Sequence, residues 1–250
     1  VLCPEALGRG TPATEPVAEY PTAPGRRRIE VEARFDGYVR AVENEALLEL
    51  ARDRDLCVRL HRSPGSLVVR GCHLADVEGD PAVLASERDE IAECIDSFFV
   101  LGEQRTPVQD VSLLFEELAE IAVRALSPGI NDPQTAAECV GGITRGLVRL
   151  VDRAFPSSRR FDENGVLRVT APAPRFEDYV SASLDPIRRH ARGEPSVLAA
   201  LLGAAGEIAR AAPSEARRAP LRALAEEILA AADKEIGSAR DRAHVKEAYG

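Results

Sequence analysis

Between Arg124 and Thr135 the chain reads RALSPGINDPQT, and this stretch limits the possible folds more than any other. Ser127 precedes a proline, which pushes it out of the α region and ends a helix. Gly129 can supply a positive φ for the reversal. Asn131 tolerates left-handed backbone and can bond its own main chain. Asp132 suits an N-cap, and Pro133 suits the first helical position, where a missing N–H is harmless. Upstream, Val111, Leu114, Phe115, Leu118, Ala122 and Ala125 recur at helical spacing, as do Val140, Ile143, Leu147, Val148 and Val151 downstream. The pattern predicts two helices, over 107–126 and 133–155, joined by a rigid αα-corner. Gly141, Gly142 and Gly146 allow the pair to pack closely.

The text on either side has a different grain. Residues 1–28 hold five prolines and no sustained periodicity, as expected of a linker or mobile arm. From Ile29 to Val77 short alternating runs predict strands, notably at Cys57–Leu60, Leu67–Val69 and His73–Val77, with one short helix in ENEALLELARDRD. Asp36-Gly37, Pro64-Gly65 and Gly71 punctuate them. A β-hairpin is expected near 159–171 around Asn164-Gly165, and the remaining Ala/Leu-rich segments read as a helical bundle. The expected fold is thus α+β, with a β-rich subdomain over 29–80 and a larger helical subdomain over 81–250.

With 45% hydrophobic and 29% charged residues the chain reads as globular. Its net charge of −9 argues against a nucleic-acid partner. Only Lys234 and Lys246 among 32 basic residues are lysine, the mark of an arginine-biased bacterial codon usage. The chain begins at Val1 and contains no methionine, so it is expected to be a piece of a longer protein. No apolar run approaches the roughly 20 residues that span a bilayer. Five cysteines at scattered positions read as buried hydrophobes in a reducing compartment.

A polar flank accompanies the corner. On the expected 107–126 helix, Asp110, Glu117 and Arg124 recur every seven residues, and Arg105, Thr106 and Gln109 sit just upstream. One reading is a solvated edge, with Glu117 or Glu120 paired to Arg124 for about 0.2–0.5 kcal/mol. The other is a flank that lines a cleft or a subunit interface. The ligand-binding candidates are therefore Arg105, Thr106, Gln109, Asp110, Arg124, Ser127, Asn131 and Asp132, with no catalytic residue assigned. His61, His73, His190 and His244 lack ligand spacing and read as packed or surface residues, so neither a metal nor a cofactor is expected. No nucleophile elbow, P-loop or dinucleotide fingerprint is present.

Two resemblances bear on the architecture. PGSLVVRGCHLADV resembles the half-motif of barrel-sandwich hybrid domains, the biotinyl and lipoyl carrier fold, which implies a small β-barrel. A carrier role is excluded because no lysine precedes Lys234. RALSPGINDPQTA, with EQRTPVQD before it, resembles the signature of a bacterial family of predicted membrane proteins, domain of unknown function 2254. GYVRAVENEALLELA, PGSLVVRG, FEDYVSASLDPIRRHA and DRAHVKEAY extend the resemblance over nearly everything after the linker; Gln134 departs from it, where the family pattern has an aromatic residue. It implies a soluble region attached to membrane-spanning helices, on the cytoplasmic face of a bacterial inner membrane. The expected role is a non-enzymatic assembly or regulatory module that forms a homo-oligomer and partners the transmembrane part of the same protein. The alternative is an enzyme or small-ligand sensor with its site at the corner.

Overall fold

A computed structural model describes residues 25–191 and 193–248. The arm expected over 1–28 lies, for residues 1–24, outside the described residues. The chain divides into two compact units. Residues 25–110 and 155–173 form a sheet unit, and 111–154 and 174–248 a helical unit.

The sheet unit contains β1 (Arg27–Glu32), β2 (Gly37–Val42), α1 (Asn44–Asp53), β3 (Cys57–Leu60), β4 (Leu67–Val68), β5 (His73–Gly79), α2 (Pro81–Ser86), α3 (Arg88–Ser97) and β6 (Phe99–Gly102). Five strands form one sheet in the order β1-β5-β3-β8-β7 and three form another, β4-β2-β6; β7 is Arg159–Phe161 and β8 is Leu167–Thr170. Alternation drives β1: Ile29 and Val31 are buried while Arg28, Glu30 and Glu32 face outward. With Leu47, Leu56, Val58, Leu74, Val77, Ile91 and Ile95 they make one continuous apolar core. Asp80 caps α2 by accepting from the amides of Ala82 and Val83, with Pro81 at the first turn.

Two expectations are corrected here. The β-rich region is a pair of open sheets and not a closed barrel. The two strands of the barrel-like motif go to different sheets, because the chain turns between them. Gly71 adopts φ +82° and donates to the Ala33 carbonyl, while the Cys72 amide donates to Val69. The hairpin also belongs with the sheet, since β8 runs parallel to β3, with Val58 beside Val169. Both valines are fully buried, so the β-branched pair joins segments more than a hundred residues apart through the apolar core.

The helical unit contains α4 (Ser112–Ala125), α5 (Pro133–Leu150), α6 (Phe176–His190), α7 (Pro195–Ala211), α8 (Glu215–Glu235) and α9 (Ala239–Glu247). In it α4 packs against α5 and α6, and α7 packs against α5 and α8. Its core is built from Phe115, Ala122, Ile143, Leu147, Leu184, Ile187, Leu198 and Leu201. Close packing of α4 on α5 depends on Gly146: a Cβ there would lie 2.6 Å from Cε1 of Phe115. The helix expected from 107 starts only at Ser112, because Pro107–Gln109 form a turn instead.

Candidate functional site

The corner is built as its residues dictate. The Asp132 carboxylate accepts from the Thr135 amide at 3.1 Å and from the Thr135 hydroxyl at 2.6 Å, closing the first turn of α5. These bonds, the hydroxyl's first, hold the Asp132 carboxyl below the usual carboxylate range. The amides of Ile130 and Asn131 both donate to the Ser127 carbonyl, and the Asp132 amide donates to Ala125. The left-handed residue is Asn131, at φ 49°, and not Gly129. Asparagine accepts that conformation at modest energetic cost, so the glycine is left without the conformational duty expected of it.

The candidate residues divide between the two units. Arg105, Thr106, Gln109 and Asp110 belong to the sheet unit; Arg124, Ser127, Asn131 and Asp132 belong to the helical one. Asp110 therefore does not share a helix face with Glu117 and Arg124, as the seven-residue spacing suggested; it precedes α4. Its buried carboxylate accepts from Nε of Arg105 at 2.8 Å, with Nη2 of Arg105 at 2.7 Å. Gly65 makes room for it, at φ +89° with no space for a side chain: a Cβ would stand 2.4 Å from the Asp110 Oδ2. The Gln109 amide mimics a strand partner. Its Oε1 accepts from the Val42 amide at 3.1 Å and its Nε2 donates to the Val42 carbonyl at 3.3 Å. The Thr106 hydroxyl is buried and makes no hydrogen bond. On the helical unit, Arg124 is exposed and borders a shallow groove between α4 and α6 with Glu116, Glu120, Ala182, Pro186 and His190.

Among the described residues, a cluster of titratable side chains gathers at the β3–β5 part of the five-stranded sheet. His73 opens β5, and Asp76 follows it by three residues. His61 leaves the end of β3, its amide donating to the Leu74 carbonyl at 2.8 Å. The Nε2 atoms of His61 and His73 lie 2.9 and 3.0 Å from the two carboxylate oxygens of Asp76. The imidazole rings stand 4.3 Å apart at 42°. From β1, the Arg28 guanidinium pairs with Oδ2 of the same carboxylate. Asp76 is 4% exposed. Burial pushes its carboxyl upward, but hydrogen bonds from His61 and Arg28 outweigh that, and the net shift is downward.

The sequence conceals this group because the histidines are twelve positions apart and the antiparallel pairing of β3 with β5 is what brings the segments together. The local signal is HLAD, a histidine and an aspartate three positions apart within the strand expected over His73–Val77. Among the described residues these three form the group whose donor atoms could hold a metal ion.

A family model described as a predicted membrane protein, domain of unknown function 2254, matches residues 5–206. Uncharacterised proteins of Mycobacterium bovis and Mycobacterium tuberculosis are each 30% identical over 228 residues, which is 91% of this chain and 44% of theirs. The chain thus spans less than half the length of these relatives. No solved structure matches it. Among the described residues no helix is long and apolar enough to cross a membrane.

Proposed function

Because the chain belongs to the domain of unknown function 2254 family of predicted membrane proteins, we propose that its residues form an extramembrane assembly module of such a protein. The module lies on the cytoplasmic face of a bacterial inner membrane and pairs with a second copy of itself. Five cysteines, an odd number, favour a reducing compartment. The net charge of −9 favours a protein partner over a nucleic acid.

One observation carries the assembly reading. Leu114 and Ile121, one heptad apart on α4, are each 48% exposed. Leu118 lies half-buried between them, and a Cβ on Gly142 of α5 would touch it at 3.5 Å. The apolar stripe of α4 is therefore wider than the core it covers, and the excess faces outward next to small residues that permit close approach. Glu117 and Arg124, both exposed, follow the same edge seven residues apart. An antiparallel second copy, with its two-fold axis near Ile121, places each Glu117 opposite the partner's Arg124. That arrangement is self-complementary, as a two-fold interface requires.

Light scattering of the purified chain at micromolar concentration is expected to give a dimer, and a monomer throughout that range overturns the reading. The double variant Leu114→Glu, Ile121→Glu is expected to be a folded monomer. Both sites are half-exposed, so the circular dichroism spectrum should not change.

A further inference from the structure

We propose that His61, His73 and Asp76 form a binding site for a divalent transition-metal ion of the zinc class. The donor set is two imidazole nitrogens and one carboxylate oxygen, which suits zinc and its borderline neighbours. Calcium and magnesium prefer all-oxygen surroundings. The three ligand atoms lie within 4.8 Å of one another, with the two nitrogen–oxygen separations at 2.9 and 3.0 Å. Tetrahedral zinc with bonds of ~2.0–2.2 Å needs ligand atoms roughly 3.3 Å apart, so an ion enters with small side-chain movements.

The supports are already in place. Asp76 sits opposite Arg59 in the hydrogen-bonded β3–β5 ladder, the His61 amide just past β3 donates to the Leu74 carbonyl, and His73 at the start of β5 lies opposite Glu32 of β1. Asp76 is buried, and Arg28 holds one of its oxygens from β1, fixing the carboxylate as an outer partner would. The His61 and His73 side chains are about one-third exposed, 33% and 35%, which leaves one side of the cluster open for an ion, water or a further ligand. Three hydrogen-bonded contacts must be exchanged on binding. Each Nε2–H now donates to Asp76, and the His73 Nε2 also lies 3.2 Å from the Ala75 carbonyl. The metal takes the Nε2 lone pair, and the proton of each ring moves to Nδ1. With three protein ligands, the ion keeps a fourth position for solvent or substrate.

The full chain, stripped with a chelator and dialysed, is titrated with zinc chloride by calorimetry, with a thermal melt alongside. A single zinc ion per chain and a raised melting midpoint are expected. His61→Ala and His73→Ala should each weaken binding by at least roughly tenfold, since loss of an outer partner alone has that effect. Their circular dichroism should match the parent, because neither side chain is buried. Asp76→Asn is less suitable, since the buried amide would face Arg28. Absence of zinc binding to the parent chain overturns the proposal. So does binding that persists unchanged in both histidine variants, which would place the ion on cysteines instead. Competition by millimolar magnesium would overturn the assignment to the zinc class.

Discussion

At the scale of single residues, the corner separates structural from functional demands. Asp132 holds its carboxylate against the Thr135 amide and hydroxyl, so Asp132→Ala should lower the melting midpoint. Asp132→Asn and Asp132→Ser, which cap a helix about as well, should restore most of it. A pH test follows from the sign of the shift. The folded-state value lies below the unfolded one of about 3.9, so the contribution of Asp132 is complete above that value. It disappears as pH falls through the folded-state value. The stability gap between the parent chain and Asp132→Ala should therefore close on acidification, as chemical denaturation at a series of pH values would reveal. Gly146 supplies the second case. Its missing Cβ leaves space for the Phe115 ring, which is itself held edge-on to Tyr179 at 6.1 Å. Gly146→Ala should destabilise by about 1–3 kcal/mol, the range for overpacking a filled core. Urea unfolding would measure it, and an effect below a few tenths would show that the helices slide apart freely.

At the scale of elements, legibility depended on how local each cause was. The strand at Cys57–Leu60 and the start of the strand at His73 follow from alternation and turn residues within a few positions, and both appear where the pattern puts them. The α5 start at Pro133 follows from the Asp-Pro cap. The start of α4 lies at Ser112 and not at the expected 107, because Thr106-Pro107 permits either a helix or a turn. What selects the turn is largely long-range: Gln109 bonds the backbone of Val42 and Asp110 fits against Gly65, while Arg105, five residues upstream, pairs with the same carboxylate. The candidate polar flank inherited that ambiguity, and the histidine cluster stayed hidden because sheet register is not written locally. The same long-range character governs the hairpin. Arg168 on β8 donates from Nε to Asp162 at 2.8 Å and from Nη1 to Asp55 at 2.6 Å, tying the hairpin to the end of α1. Asp162 meanwhile accepts the amides of Asn164 and Val166 within its turn. Arg168→Ala leaves the Asp162 carboxylate, 1% exposed in its side chain, without its cation. The variant should melt several degrees lower, with faster hydrogen exchange at β7 and β8 than at β1 and β5. Equal acceleration across the whole sheet would show instead that the hairpin does not open separately.

At the scale of the whole molecule, connectivity sets a constraint that neither unit shows alone. The chain leaves the sheet unit at Asp110, returns at Phe155 and leaves again at Ala173. The sheet is therefore assembled from two separated segments, and β8 covers one edge of β3 while β5 covers the other. A fragment that stops at Asp110 retains β1 to β6 but exposes β3 as an unpaired edge beside a buried valine, Val58. Open edges of that kind invite pairing with other chains. It also loses Arg168, leaving Asp55 with Arg26 alone among its two guanidinium partners. Residues 25–110 expressed alone should therefore aggregate or remain partly unfolded. The same segment joined through a flexible linker to 155–173 should give a soluble, cooperatively melting protein. Circular dichroism and size-exclusion chromatography of the two fragments would decide it. A well-folded, monomeric 25–110 fragment would mean that the hairpin decorates a sheet already complete without it. In that case the parallel β3–β8 pairing would be an addition to the fold and not one of its conditions.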